Sequence, residues 1–308
     1  MDLITGGAPL PGALRGGIVA LGNFDGFHAG HQAVVGAARD WAHKLGRPAL
    51  VASFDPHPAR LFQPASPPFA LSTIAQRARW FELFGMDGAV VMPFDAALAA
   101  LSAQEFVDQW LFTRLGVAGV VTGGDFTFGK SRQGDVRELA RLGLASGYAA
   151  RVVDAVHDDA GIISSTRIRA ALRAGQPGVA ADMLTRPFTI QGVVEHGAKL
   201  GRTIGFPTAN MVLGDYVRPA YGVYAVRVIL PDGTRVPGVA NLGIRPMIEP
   251  AVELLETWLI DWNGDLYGQV LRVELIAWLR PEMKLDGLEA LQAQIAADVV
   301  AARKILRP

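Results

Sequence analysis

The chain of 308 residues contains no cysteine. This absence excludes disulfide bridges and thiolate metal sites, and it is compatible with the reducing cytoplasm in which we expect the protein to act. Positive and negative residues balance to a formal net charge of zero, and no block of like charges stands out. Because nucleic acids and membrane surfaces are bound through a basic field, we expect neither as a partner.

Long apolar segments are missing as well. No uninterrupted apolar run reaches the length of a transmembrane helix, and the first ten residues, M-D-L-I-T-G-G-A-P-L, lack the basic start and apolar core of a signal peptide. The chain does have 50% hydrophobic and 19% charged residues, which is typical of a globular protein with a sizeable core. Its length suffices for one large domain or two ordinary ones.

Short apolar runs alternate with helical patterns from residue 17 to about residue 175. The apolar runs are Ile18–Leu21, Ala49–Phe54, Ala89–Met92, Val117–Val121 and Ala149–Val153. The helical patterns lie near Thr73–Phe84, Ser102–Leu115, Asp135–Ala145 and Thr166–Ala174. Near-continuous apolar strands between helices predict a parallel sheet that is covered on both faces.

After Pro187 the pattern changes to an alternation with a period of two residues. It runs through Gly222–Leu230, Val252–Asp261 and Gln269–Leu279, and only Leu285–Ile305 returns to helical spacing. Several antiparallel strands followed by one helix predict a small β-barrel. We therefore expect two domains, at residues 1–185 and 186–308.

The most informative segment is Gly22–His31, which reads G-N-F-D-G-F-H-A-G-H. It joins an apolar run to an amphipathic segment and so predicts a strand, a glycine-bearing turn and a helix. His28 and His31 then stand in the first helical turn, where backbone N–H groups and the helix dipole attract phosphate. The alternatives are surface histidines beside a simple turn, or a zinc site, for which no His-rich tract supplies further ligands. The order of strand, turn, histidines and helix favours a nucleotide site.

Three further segments follow predicted strands or begin a predicted helix. The segment S-S-T-R-I-R, from Ser164 to Arg169, indicates either an ordinary helix cap or a clamp for ATP phosphates. His57 in D-P-H-P and Asp125 in G-G-D-F-T-F-G follow strands. Since ligands bind at the carboxyl ends of parallel strands, both side chains are expected in that crevice. A stiff proline loop and a turn-forming aspartate are the alternatives.

The second half of the chain offers a loop and a carboxylate. Residues 197–210, G-A-K-L-G-R-T-I-G-F-P-T-A-N, combine glycines with basic and hydroxyl groups. Such a loop could wrap phosphates, with the Thr208 hydroxyl offered to Mg²⁺. Glu256 stands in an otherwise apolar strand, where it is either exposed at an edge or a general base, and Glu253 competes for that role.

Together these segments resemble one family, the bifunctional bacterial riboflavin kinase/FMN adenylyltransferases, also called FAD synthetases. The resemblance covers nearly the whole chain and is carried, in order, by G-N-F-D-G-F-H-A-G-H, F-D-P-H-P, G-G-D-F-T-F-G, S-S-T-R-I-R, G-R-T-I-G-F-P-T-A-N, G-V-A-N-L-G-I-R-P and D-L-Y-G. It implies an α/β Rossmann-like nucleotidyltransferase domain followed by a six-stranded antiparallel, riboflavin kinase-like β-barrel with a C-terminal helix. It also implies two reactions: the barrel would phosphorylate riboflavin to FMN, and the first domain would adenylylate FMN to FAD with release of pyrophosphate.

The resemblance assigns roles in the first domain to residues of this chain. His28 and His31 would stabilise charge on the ATP α-phosphate while the FMN phosphate attacks in line. Ser164, Thr166 and Arg169 would hold the outer phosphates. The full set expected to bind ATP or flavin here is Gly22, Asn23, Phe24, Asp25, His57, Asp125, Ser164, Thr166 and Arg169.

In the barrel, the resemblance implies that Glu256 takes the proton from the ribityl 5′-hydroxyl. Its spacing to Asp265 in D-L-Y-G matches the family pattern, whereas the spacing of Glu253 does not. Thr208 and Asn210 would hold Mg²⁺ with ATP. The binding set expected here is Gly201, Arg202, Gly205, Pro207, Thr208, Asn210 and Asn241. FMN and FAD would be substrate and product, not prosthetic groups.

Three positions depart from the family pattern. Pro246 is followed by Met247 where the family has threonine, Trp258 replaces a histidine, and Thr185 replaces a glycine at the domain junction. The candidate kinase residues are all retained, so we predict two activities. The alternatives are an FMN adenylyltransferase with a weakened or non-catalytic flavin-binding barrel, and a flavin-sensing protein that only holds its ligands.

Overall fold

The computed structural model describes residues 1–196, 205–245 and 252–307. Contacts divide the chain into two compact units, residues 1–67 with 73–164, and residues 68–72 with 165–308. The units divide between Ser164 and Ser165. We expect the domain boundary between residues 185 and 186. Because the compact units are defined by contacts, their division does not test that boundary, which stays a prediction.

The first unit is built on a six-stranded sheet in the order β1-β4-β3-β2-β5-β6, and all five neighbouring pairs are parallel. These strands are β1 (Asp2–Ile4), β2 (Ile18–Leu21), β3 (Ala49–Asp55), β4 (Gly88–Pro93), β5 (Gly119–Gly123) and β6 (Ala149–Val153). A short hairpin of β7 (His157–Asp158) and β8 (Gly161–Ile162) follows. The helices of this unit are α1 (Ala29–Leu45), α2 (Pro58–Phe62), α3 (Ile74–Leu83), α4 (Ala96–Ala100), α5 (Ala103–Phe106) and α6 (Val136–Ser146).

Hydrophobic side chains cover both faces of this sheet. Strand β2 is buried along its whole length, and its residues divide between two hydrophobic clusters. Val19 and Leu21 belong to the cluster that contains Trp110, whereas Ile18 and Ala20 belong to the cluster that contains Trp41 of α1. Because successive side chains of a strand point to opposite faces, this division explains why the run is apolar without alternation.

The second unit contains a six-stranded antiparallel sheet in the order β10-β13-β12-β11-β14-β9. Its strands are β9 (Phe188–Val193), β10 (Ala209–Val212), β11 (Gly222–Ile229), β12 (Arg235–Arg245), β13 (Val252–Leu259) and β14 (Val270–Arg280). An antiparallel bridge between Glu195 and Asn210 brings the chain after β9 beside β10, so the sheet nearly closes into a barrel. The helices of this unit are α7 (Ser165–Arg173), α8 (Pro177–Leu184) and α9 (Gly287–Ile305).

Helix α9 packs on one face of the barrel sheet. Val299 and Ala302 of this helix belong to one hydrophobic cluster with Val223 and Val239 of the strands, and Trp258 packs against that cluster. A buried ion pair adds to the packing, because Arg280 Nη2 of β14 lies 2.7 Å from Asp298 Oδ2 of α9. This face of the sheet is therefore the one that α9 covers.

The structure confirms the predicted fold class and most of its elements. The residues predicted as one helix over Ser102–Leu115 divide into α5 and a π-helical segment, Val107–Leu115. The elements that were not predicted are strands β1, β9, β10 and β12, the β7–β8 hairpin, and helices α2, α4 and α8. Strand β1 has only three residues, and α8 begins with P-G-V, so neither carries a clear periodic pattern.

Candidate active sites

The segment after β2 forms the predicted turn between a strand and a helix. Phe24 and Phe27 have positive φ angles of 52° and 44°, and Gly26 lies between them with φ 82°. Non-glycine residues rarely adopt this conformation, so surrounding contacts must hold it. Both phenylalanines are 2% exposed, and the ring of each contacts the Phe81 ring edge-to-face. The turn is therefore fixed by an aromatic cluster.

His28 and His31 lie together at the start of α1. The His28 side chain caps the helix, because its Nδ1 accepts a hydrogen bond of 3.4 Å from the backbone N–H of His31. The two imidazole rings stack, with centroids 3.6 Å apart. With Nδ1 of His28 as the acceptor, a neutral His28 ring carries its proton on Nε2, and Nε2–H is a hydrogen-bond donor. The arrangement is suited to holding negative charge at the positive end of the helix dipole.

Gly30 leaves room for this stacked pair. A Cβ at position 30 would lie 3.1 Å from Cε1 and 3.2 Å from Nδ1 of His28. These contacts are tight, so the His28 ring would have to move by a few tenths of an ångström to admit a larger residue. Among the other predicted residues of this turn, Gly22 donates its N–H to Ala52 of β3, and Asp25 is 4% exposed.

His57 and Asp125 follow the two strands that flank β2. His57 comes after β3 and caps α2, with its Nδ1 accepting from the N–H of Ala59 at 3.2 Å. Asp125 comes after β5 and is exposed. Both positions are at the carboxyl edge of the parallel sheet, where His28 and His31 also begin their helix. The binding roles of His57 and Asp125 stay predictions.

The residues predicted to clamp the outer phosphates fall in both units. Ser164 is the last residue of the first unit, whereas Thr166 and Arg169 lie on α7 in the second. Thr166 is exposed. Arg169 is oriented by Phe69, since its Nε donates to the Phe69 carbonyl at 2.7 Å and its guanidinium lies 5.2 Å from that ring centroid. Their phosphate-binding roles also stay predictions.

Sequence reasoning missed Arg77, which lies on α3 beside the histidine turn. Its Nη1 donates to the Asn23 carbonyl at 2.8 Å, although its side chain is buried. Burial lowers the pKa of the Arg77 guanidinium, while the negative charges of Asp25 and Asp55 act to raise it. The sequence could have indicated that Arg77 is buried. It shares with Ile74 and Phe81 the i, i+3, i+7 spacing that is typical of the buried side of a helix.

In the barrel, three predicted residues lie in one row across neighbouring strands. Glu256 of β13 is directly opposite Asn210 of β10 on one side and Asn241 of β12 on the other. Directly opposed residues of an antiparallel pair point to the same face, so the carboxylate and the two amides share a face. Trp258 is two residues from Glu256, so this is the face on which α9 packs.

Glu253, the alternative to Glu256 as the general base, has two bonded partners. Glu253 lies 2.5 Å from Nε of Arg218 and also accepts a hydrogen bond from the Tyr221 hydroxyl. Burial and this hydrogen bond raise the pKa of the Tyr221 phenol to about 12. Glu253 therefore belongs to a bonded network, and Glu256 lies in the row with the two amides; both glutamates are half-buried.

The described end of the glycine-containing loop lies beside this row. Pro207 and Thr208 line a cavity with residues of the segment Trp262–Tyr267, which includes D-L-Y. Gly205 is exposed and has a positive φ of 85°. The predicted residues Gly201 and Arg202 lie outside the described residues, as does Met247.

Trp258, the second departure from the family pattern, contacts this loop. Its ring meets the Phe206 ring edge-to-face, with centroids 5.1 Å apart. The tryptophan therefore forms an aromatic wall beside the row of Asn210, Glu256 and Asn241. The imidazole that it replaces would present less apolar surface there.

The two units together define a class of protein, in which one chain combines a nucleotidyltransferase-like α/β domain with a flavin kinase-like barrel. A family model described as FAD synthetase matches residues 11–167, and one described as riboflavin kinase matches residues 184–306. The chain belongs to the bifunctional riboflavin kinase/FMN adenylyltransferase family and carries both enzymatic domains. The alternative of a single-activity adenylyltransferase is not favoured.

The relatives of this chain match it from end to end. The bifunctional riboflavin kinase/FMN adenylyltransferase of Pseudomonas fluorescens is 41% identical over 100% of this chain and 99% of its own length. That of Escherichia coli K12 is 38% identical over 99% of this chain and 97% of its own. A solved structure described as a macrolide-efflux protein from Streptococcus pneumoniae is 30% identical, with a TM-score of 0.87 over 98% of this chain and 99% of that one.

The described part of the chain has neither a membrane-spanning helix nor a cluster of metal-binding side chains. Within residues 1–196, 205–245 and 252–307, no helix combines the length and the apolar character needed to cross a membrane. In the same ranges, no three His, Asp or Glu side chains cluster so that they could hold a metal ion.

Proposed function

We propose that the first unit adenylylates FMN through His28 and His31. An oxygen of the FMN phosphate attacks the α-phosphorus of ATP, the bond to the β-phosphate breaks, and pyrophosphate leaves. Nε2–H of His28 donates to the α-phosphate oxygen on which negative charge grows, and His31 stacks beside it. The stacked pair at a helix start supports this assignment, because donors fixed in advance stabilise such charge without reorganising.

The same proposal assigns the remaining predicted residues of this site to binding. Asn23 and Asp125 line the crevice for the flavin or the nucleotide. Ser164, Thr166 and Arg169 hold the β- and γ-phosphates, which supports pyrophosphate as the leaving group. Hydroxyls and a guanidinium at the start of α7 are suitable donors for these oxygens.

In the barrel, Glu256 is the general base of the kinase reaction. Its carboxylate accepts the proton of the ribityl 5′-hydroxyl while that oxygen attacks the γ-phosphorus of ATP, and ADP leaves. Asn210 and Asn241 flank it in the same row and position the reacting groups. The row of three opposed residues is the observation that carries this assignment.

Magnesium is proposed for the kinase site, held by Thr208 and Asn210 together with ATP. Oδ1 of Asn210 is buried and has no hydrogen-bond partner among the described residues, so this oxygen is available as a ligand for Mg²⁺. Nδ2 of Asn210 donates to the Thr208 carbonyl at 3.4 Å, which brings these two residues together. Mg²⁺ prefers oxygen ligands and commonly joins protein groups to substrate phosphates, whose charge it neutralises.

The proposed partners are small molecules, namely riboflavin, FMN and ATP, and no nucleic acid or membrane. The zero net charge of the chain supports this limit. A cytoplasmic location is proposed on the absence of cysteine, which suits a reducing compartment.

Product analysis with riboflavin, ATP and Mg²⁺ tests the assignments. The wild-type chain should make FMN and FAD, whereas His28→Ala should stop at FMN because one fixed donor is typically worth about 3–4 kcal/mol of barrier. Glu256→Gln should make FMN from riboflavin at least about 100-fold more slowly but should still convert added FMN to FAD. If both variants behaved as the wild type does, the site assignments would be wrong.

A further inference from the structure

A buried arginine beside the histidine turn has no part in the roles assigned so far. Arg77 is 7% exposed, and its Nη1 donates to the Asn23 carbonyl at 2.8 Å. Its Nε is buried without a hydrogen-bond partner among the described residues. Buried charges are costly unless they are paired, so the position of this guanidinium needs a reason.

The surroundings of Arg77 supply that reason. Asp25, which is 4% exposed, and Asp55 act on the guanidinium electrostatically. Asn23 and Asp25 stand immediately before and after Phe24, whose φ is positive. Arg77 thus fixes a backbone carbonyl on one side of the strained residue and balances a buried carboxylate on the other.

Helix α3 holds the turn in a second way, one helical turn further on. Phe81 contacts both Phe24 and Phe27 edge-to-face. Strained backbone persists only where several contacts determine it. The apolar contacts of Phe81 place the two rings, whereas the hydrogen bond from Arg77 holds the Asn23 carbonyl of the same turn.

We propose that Arg77 is a positioning residue for adenylyl transfer, which holds the Asn23–Asp25 turn so that His28 and His31 begin α1 in their stacked arrangement. This inference rests on the proposed role of the two histidines. Arg77 does not touch substrate in this proposal; it acts through the turn. Because a misplacement of about 1 Å can cost on the order of 100-fold in rate, such a residue affects the chemical step strongly.

The test compares three variants in the full-length chain, each assayed well below its own unfolding temperature. Arg77→Met removes the charge and the donors, and we expect kcat for FMN adenylylation to fall about 10- to 100-fold with a smaller change in KM. Arg77→Lys keeps the charge and a donor, so it should recover most of that loss. Arg79→Met, at an exposed position two residues further along α3, should behave as the wild type does.

Two internal controls make the outcome decisive. Riboflavin kinase activity of the same preparations should not change, because the barrel is a separate compact unit. Wild-type kcat in Arg77→Met would overturn the proposal, and so would an Arg77→Lys variant as impaired as Arg77→Met. His28→Ala is measured in parallel: if it stays active, the proposed histidine site is wrong, whereas an inactive His28→Ala beside an active Arg77→Met refutes the positioning role alone.

Discussion

Thr185 follows the last residue of α8 and has a left-handed conformation, with φ 62° and ψ 17°. This position after a helix is the one that glycine most often occupies, because a Cβ is unfavourable there by about 1–2 kcal/mol. The sequence departs from the family pattern at this residue, where glycine is usual. A β-branched side chain therefore bears a conformational cost that the family ordinarily avoids.

We expect Thr185→Gly to stabilise the chain. The relief of strain is partly offset by the greater freedom of glycine in the unfolded chain, which leaves a net gain of about 0.5–1 kcal/mol. Denaturant unfolding measures this difference, with Thr185→Ala as the matched control because alanine retains a Cβ. A Thr185→Gly variant no more stable than Thr185→Ala would refute the strain.

The two glutamates of β13 provide a second prediction at the scale of single residues. Glu256→Gln should lower the kcat of riboflavin phosphorylation by about 10²–10⁴-fold, which is the usual contribution of a general base. Glu253→Gln, a matched change three residues away, should keep kcat within a few-fold because Glu253 bonds Arg218 and Tyr221 instead. Steady-state kinetics with riboflavin compares them, and the reverse order of losses would exchange the roles.

Sequence reasoning found candidate residues more readily than their contacts. The spacing to D-L-Y-G selected Glu256, and the strand register later placed it opposite Asn210 and Asn241. The spacing could not predict the hydrogen bonds that Glu253 accepts, because their donors, Arg218 and Tyr221, are more than thirty residues away along the chain. The helical spacing of Arg77 could have indicated that it is buried, but not its contact with the Asn23 carbonyl, which lies on another element.

At the scale of elements, α9 depends on a buried ion pair with β14. Nε and Nη2 of Arg280 both donate to Asp298, which also accepts from Gln294 of the same helix at 3.0 Å. Removing one partner of such a pair leaves an uncompensated charge and costs about 3–5 kcal/mol. The helix covers the sheet face that bears Glu256, so its docking affects the kinase half.

We expect Asp298→Asn to destabilise the kinase half by about 3 kcal/mol, at the lower end of the range because Arg280 keeps some exposure. Thermal unfolding, monitored through the loss of riboflavin kinase activity, measures this effect. Asp261→Asn is the matched control, because Asp261 pairs with Arg303 at the surface and exposed pairs contribute little. Equal stability of the two variants would contradict the importance of the buried pair.

Elements with strong periodicity could be predicted from the sequence, and irregular ones could not. Strand β2 was predicted to the residue, because its buried apolar run ends at Leu21, just before Gly22. The turn after it was predicted only in kind, and His28, expected in the first helical turn, is the N-cap of α1. The π-helical segment Val107–Leu115 was not, since its hydrophobic pattern also fits an ordinary helix and only the backbone hydrogen bonds distinguish the two. Sheet order likewise depends on long-range pairing that a local pattern does not contain.

At the scale of the whole molecule, the two sets of residues that we propose to handle phosphate lie in units of different architecture. The stacked imidazoles stand at the carboxyl edge of a parallel sheet, and the Asn–Glu–Asn row lies on an antiparallel sheet. The change from continuous apolar runs to alternation predicted these two architectures. If each set serves its own reaction, inactivating one should leave the other working.

The most direct measurement of this central claim mixes two inactivated chains. His28→Ala and Glu256→Gln are each incubated alone, and then together, with riboflavin, ATP and Mg²⁺, and the flavins are separated and quantified. Alone, each variant should produce FAD at least about 100-fold more slowly than the wild-type chain does. The mixture should produce FAD much faster, because FMN released by the first variant is adenylylated by the second. FAD formed by either variant alone at a rate near that of the wild-type chain, or no gain in the mixture while each variant keeps its other activity, would contradict the assignment of two independent sites.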